Sequence, residues 1–148
     1  MRLPGLLLLG VLGAVVTASA QASVQGGAQA AVGTMSELMV QVIYPTSDAI
    51  FYITTRTPKT EAEWVELQGK TLMLAESANL LMMPTRSRGR DQWLKDAKLL
   101  LDVGTAAFKA AKAKDAAALE GLSDRLYESC TTCHQHFRPG YGRRPPGR

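Results

Sequence analysis

Leu119, Leu122, Leu126, Cys130, Cys133 and Phe137 follow one another at three- and four-residue steps. The chain's two cysteines therefore fall in line with the apolar stripe of a helix. This alignment constrains the fold more than any other feature, because whatever the cysteines hold must sit where the last helix meets the core. The same helical rhythm runs back to Thr34, and no segment has the period-2 alternation of a half-buried strand. The expected class is all-α.

Four helices can be drawn. Thr34-Met35-Ser36-Glu37 and Thr60-Glu61-Ala62-Glu63 both have the spacing of a capping box, and they start the first and second helices. Met35, Met39 and Ile43 mark one apolar face of the first helix. Pro45 lacks an amide proton and clashes with the turn before it, which predicts a kink near Tyr44-Pro45 before the run resumes through Ile50 and Ile53. The second helix carries Trp64, Leu67, Thr71, Leu74, Ala78 and Leu81 on its stripe and stops at Pro84. The third starts near Asp91 after a basic loop, with Trp93, Ala97, Leu100, Gly104 and Ala111 facing inward. Gly104 costs about 1 kcal/mol in a helix interior, so something must approach it closely: a flat prosthetic group or a neighbouring helix. The fourth helix is drawn from Asp115 to Phe137 and ends at Pro139-Gly140. Four helices of about 20 residues on short connections predict one domain over residues 34–138, an antiparallel up-down-up-down four-helix bundle.

The flanks differ from this body. Arg2, the apolar run from Leu6 to Val16 and Ala18-Ser19-Ala20 make a signal peptide over residues 1–20, with cleavage after Ala20. The run is too short to span a bilayer, which takes about 20 apolar residues, and no membrane span is expected elsewhere. Export to the periplasm of a Gram-negative cell follows. Residues 21–33 read as a disordered lead-in, and residues 139–148 as a basic, disordered tail.

The net charge of +4 is concentrated at that end. Arg138, Arg143, Arg144 and Arg148 lie in the last eleven residues. Without them and Arg2 the chain has 12 basic against 13 acidic side chains. A nucleic-acid binder spreads its cations over a face or along a helix, and this chain does not. The tail suits steering to an acidic redox partner or to anionic lipid.

Cys130-Thr131-Thr132-Cys133-His134 is the attachment pattern of a c-type haem. Two thiols add across the vinyl groups, and the histidine binds iron. On a helix the three residues stand at i, i+3 and i+4 and project from one face. Three rivals fit less well. A thioredoxin-like C-x-x-C lies beside a βαβ unit, which is missing here. A zinc site would draw on Cys130, Cys133, His134 and His136, but it lacks the usual second ligand pair. A disulfide across three residues of a helix has poor geometry. His136 points about 200° away from His134 around the helix and reads as a surface residue.

With that motif on the last of four helices, the chain resembles the class II cytochromes c, the group that includes cytochrome c′ and the low-spin cytochrome c556 type. The likeness covers roughly residues 34–138. It is closest over Cys130 to Arg138, where an aromatic and a basic residue follow the haem motif. The resemblance implies a single covalent haem c on Cys130 and Cys133, with His134 as proximal iron ligand. It implies that Arg138 lies near a propionate; the plain alternative is a cation complementing the helix dipole. It also implies a methionine of the first helix as sixth ligand. Met39 is the better placed, and Met35, in the fraying first turn, is the fallback. Family members often form a homodimer through their first two helices.

Two functions follow from this likeness. With His134 and Met39 both on iron, the protein is a low-spin, one-electron carrier for an unidentified redox partner protein, and not an enzyme. With the sixth site open, an apolar pocket around Leu38 and Val42 would bind NO or CO. A third reading without haem is an interaction module carrying a redox-active disulfide.

Overall fold

A computed structural model describes residues 30–141. The signal-peptide reading of residues 1–20 and the arginines beyond Tyr141 lie outside the described residues. Every regular element among the described residues is helical: α1 (Met35–Glu37), a π-helical segment (Leu38–Ile43), α2 (Tyr44–Phe51), α3 (Glu61–Met82), α4 (Arg90–Lys112), α5 (Ala116–Glu120) and α6 (Ser123–Phe137). None is long and apolar enough to cross a membrane.

Both capping boxes form. The Thr34 hydroxyl accepts from the Glu37 amide at 3.2 Å while the Glu37 carboxylate takes the Thr34 amide at 2.7 Å. Thr60 and Glu63 repeat the arrangement at the start of α3. The Thr34 amide holds the Glu37 carboxyl below the usual range, and the Lys59 and Thr60 amides do the same for Glu63.

The expected kink at Pro45 takes a different form. The first helix runs on without a break, and the strain is absorbed one turn earlier, where the backbone widens into the π segment. There the Tyr44 amide reaches back five residues to the Met39 carbonyl. In α-helical register the proline ring would press on the Gln41 carbonyl and offer it no amide proton; the wider turn relieves that contact. Thr46 and Ser47, both buried, donate their hydroxyls to nearby carbonyls, Thr46 to Val42 at 2.7 Å and Ser47 to Tyr44 at 2.8 Å.

α3 and α4 pair antiparallel. Their contacts run in opposite order along the two helices: the Trp93 indole donates to the Leu81 carbonyl at 2.6 Å, Gly104 meets Ala75, and Lys114 pairs with Glu61. Gly104 marks the closest approach. A Cβ built there would stand 2.8 Å from the Ala75 Cα, so the neighbour this glycine serves is α3.

The fourth predicted helix is two. α5 starts at Asp115, whose carboxylate accepts from the Ala118 amide at 2.8 Å, and it ends at Gly121. α6 then begins at Ser123. Glycine is the costliest ordinary residue in a helix interior, and the chain uses it to turn between Leu119 and Leu126, both fully buried. α6 packs chiefly on α4, while α2 and the π segment pack on α3. Ile50, Leu74, Ala107, Leu119 and Leu126 form the closed centre of the core.

Candidate functional site

α6 is unbroken through Cys130, Thr131, Thr132, Cys133 and His134. Ser129 and Leu126, one turn earlier, are buried, and from Cys130 onward the helix is half exposed on its inner side. The inward stripe thus continues past the end of the close-packed core and into open space. Two adjoining cavities occupy that space. The smaller, about 50 Å³, lies among Met39, Ile43, Leu100, Cys130, Cys133 and His134. The larger, about 430 Å³, shares Met39, Cys133 and His134 and extends past Met35 and Phe137 to Arg88 and Arg138.

The thiols, the histidine, the two methionines and the arginine singled out in the sequence each line at least one of these cavities. Cys130 belongs to the inner one, Met35 and Arg138 to the outer, and Met39, Cys133 and His134 to both. Met39 stands in the π segment and His134 on α6, so the two face one space from different elements. The expected apolar lining by Leu38 and Val42 is not what the fold provides. Leu38 is buried elsewhere in the core, and Ile43, Leu81 and Leu100 line the inner cavity.

Both cysteines are free thiols. Burial pushes the Cys130 thiol up, and Cys133 is pushed up to about 11 by burial and, to a lesser degree, by the negative charge of Asp96. They are neutral nucleophile precursors in an apolar niche. Burial lowers the pKa of His134, and the Arg138 guanidinium lowers it further, so its neutral, metal-binding imidazole is favoured. Among the described residues, the His134 Nδ1 is buried without a hydrogen-bond partner. Its ring packs edge-on against Tyr141, with centroids 4.9 Å apart.

Side chains of the kinds a covalently attached haem would need line these cavities: two thiols on one helix face, an imidazole one residue on, and the thioether of Met39 from a different element. Among the described residues, no three His, Cys, Asp or Glu side chains converge to hold an ion.

Sequence reasoning missed Asp96. This carboxylate is 2% exposed and lines the inner cavity. It accepts from the Gln92 amide at 2.9 Å, and the other oxygen lies 2.7 Å from the His136 Nδ1. His136 is exposed, as expected, and its ring also ties the end of α6 to α4. The signal was present in the spacing, since Asp96 falls at the i+3 position from Trp93 on the buried stripe. A lone acid among apolar residues of a helix has no readable partner 40 positions away. Trp93 is the other anchor, its ring 4.8 Å from that of Phe137 at an edge-on angle.

Comparison of the chain with protein-family models, with curated proteins and with solved structures finds no match in any of the three.

Proposed function

We propose that the chain is a periplasmic c-type cytochrome that passes one electron at a time through a single haem c, bound by thioethers to Cys130 and Cys133. His134 is the proximal iron ligand and Met39 the distal one. The observation that carries this reading is that Met39 and His134, from separate elements, line the same two cavities together with Cys133. The helices are read as a four-helix up-down-up-down bundle, with the short α5 leading into α6. Residues 1–20 act as the export signal that brings the chain to the compartment where haem is attached.

A haem held by His134 and Met39 would supply a one-electron iron couple of raised potential. The chain's own residues do the rest. Cys130 and Cys133 fix one edge of the ring on α6. His134 presents a neutral imidazole, favoured by burial and by Arg138. Met39 offers a thioether from a backbone held by the π turn and Pro45. Leu81, Ala97 and Leu100 keep water from the inner edge. The partner is another redox protein.

The test is an optical spectrum of the protein made in cells that carry the cytochrome c maturation system. A pyridine haemochrome of the doubly thioether-linked type and a methionine-to-iron charge-transfer band are expected. Met39→Ala should abolish that band while keeping the covalent haem. A five-coordinate, high-spin spectrum in the unaltered protein would sink the electron-carrier reading and leave a gas-binding one. Absence of covalent haem would overturn both.

A further inference from the structure

The outer cavity is apolar at its base and cationic at its rim. Of the side chains lining it, only Arg88 and Arg138 are charged, apart from the titratable His134, and none is acidic. They come from separate elements: Arg88 from the loop between α3 and α4, and Arg138 from the residue that caps α6. Among the described residues, neither guanidinium enters an ion pair. Arg138 only lies over the Tyr141 ring, 5.7 Å from its centroid. The loop is short of acceptors as well. Arg86 Nε and Ser87 Oγ, immediately before Arg88, are buried with no hydrogen-bond partner among the described residues. Two unneutralised guanidiniums over an apolar slot describe a receptor for a flat, apolar molecule with two anionic groups at one edge.

The orientation of such a molecule follows from the cysteines, and this step rests on the haem reading above. Cys130 lines only the inner cavity, whereas Arg88 and Arg138 line only the outer one. A porphyrin tethered through its two vinyl carbons at the inner edge turns its two propionates to the opposite edge, which is the rim. We propose that Arg88 and Arg138 form a two-guanidinium clamp on the haem propionates, Arg88 reaching it from the α3–α4 loop. Gly89 holds that loop in place: its φ of +59° is open to glycine at little cost, and a Cβ built there would stand 3.9 Å from the Phe137 ring. Arg138 was legible beside the haem motif. Arg88 was not, since it precedes Cys130 by more than 40 residues in a loop of repeated arginines.

The test uses the holoprotein and the variants Arg88→Gln, Arg138→Gln and Arg88→Lys, with Arg56→Gln as control. Arg56 stacks on Tyr52, away from both cavities. The readouts are covalent haem content, the propionate-bending band in resonance Raman, and the equilibrium constant for reduction by a fixed mediator. Each glutamine variant should keep its haem, shift the propionate band and lower that constant about threefold, because a positive charge near the iron favours the reduced state. Arg88→Lys should shift the band, since a point charge does not reproduce a bidentate contact, yet keep most of the constant. It serves also if Arg88→Gln yields too little protein. Holoprotein variants with an unchanged band and an unchanged constant overturn the clamp and leave the haem reading standing. Wild-type protein without covalent haem overturns both.

Discussion

At the scale of single residues, the site is set by what burial does to three side chains. Before haem attachment the Cys133 thiol titrates only near pH 11, so at neutral pH the thiolate fraction is about a hundredfold below that of an ordinary cysteine. The apoprotein should therefore react with iodoacetamide at Cys133 about a hundredfold more slowly than its unfolded form, as peptide mapping of the alkylated chain would measure. The same shift fixes a sign. The folded state holds its proton more tightly than the unfolded state, whose thiol titrates at 9.0, so stability from this group is whole below pH 9 and is lost as the pH rises towards 11. A urea midpoint that falls over that window in the wild type, and falls less in Cys133→Ser, is the expected result. Asp96 contributes to the shift, and although its place on the buried stripe could be read from the spacing, what it pairs with could not. Its partners Gln92 and His136 come from one neighbouring turn and one distant helix. A sequence displays the first kind of neighbour and conceals the second.

Among the elements, the closest contact is α3 against α4 at Gly104. Alanine there gains about 1 kcal/mol of helix propensity but drives a Cβ to 2.8 Å from the Ala75 Cα and 2.9 Å from its amide nitrogen. Backbone atoms inside a paired helix have little room to move, and overpacking of this kind costs about 1–3 kcal/mol. Gly104→Ala should thus destabilise the protein by up to about 2 kcal/mol in chemical denaturation, and Ala75→Gly in the same chain should not restore it, because the atoms met first are the backbone of Ala75. The elements were legible wherever local chemistry decides: Thr34 and Thr60 start helices because the acid three residues on completes the cap, and Pro84 ends one. Two features were not legible. Gly121 reads as a tolerable interior glycine because Leu119, Leu122 and Leu126 keep helical spacing across it, and the break it makes is one tightened turn, with the Leu122 amide on the Leu119 carbonyl at 3.1 Å, that leaves the stripe intact. Pro45 announces strain without saying where the chain will absorb it, and the answer, a widened turn beginning at Leu38, depends on holding Ile43 and Ile50 in the core together.

Over the whole molecule, the first helix and α6 stand on either side of the cavities and are joined to each other mainly through α3 and α4. The cationic tail begins where this arrangement ends. Tyr141 packs on His134 and belongs to the site, so a truncation that tests the tail must remove only residues 142–148. If Arg143, Arg144 and Arg148 steer the protein to an acidic partner, that truncation should slow electron exchange severalfold at low ionic strength and have little effect at high salt, as stopped-flow rates at two salt concentrations would reveal. Equal rates at low salt would remove any steering role.

The π segment has a bearing on how this protein can vary in length. Its extra residue is a length difference of one codon, and a widened turn absorbs such a residue without rotating the chain on either side of it. Loss of one residue between Met39 and Tyr44 would therefore return the helix to α register with Met35 and Met39 still turned towards the cavities, but it would press the Pro45 ring on the carbonyl one turn before it, at about 3 kcal/mol. Such a deletion variant should lose about that much stability in urea, and Pro45→Ala in the same chain should restore most of the loss. The proline and the extra residue are thus tied to each other, and a chain that keeps the first has to keep the second.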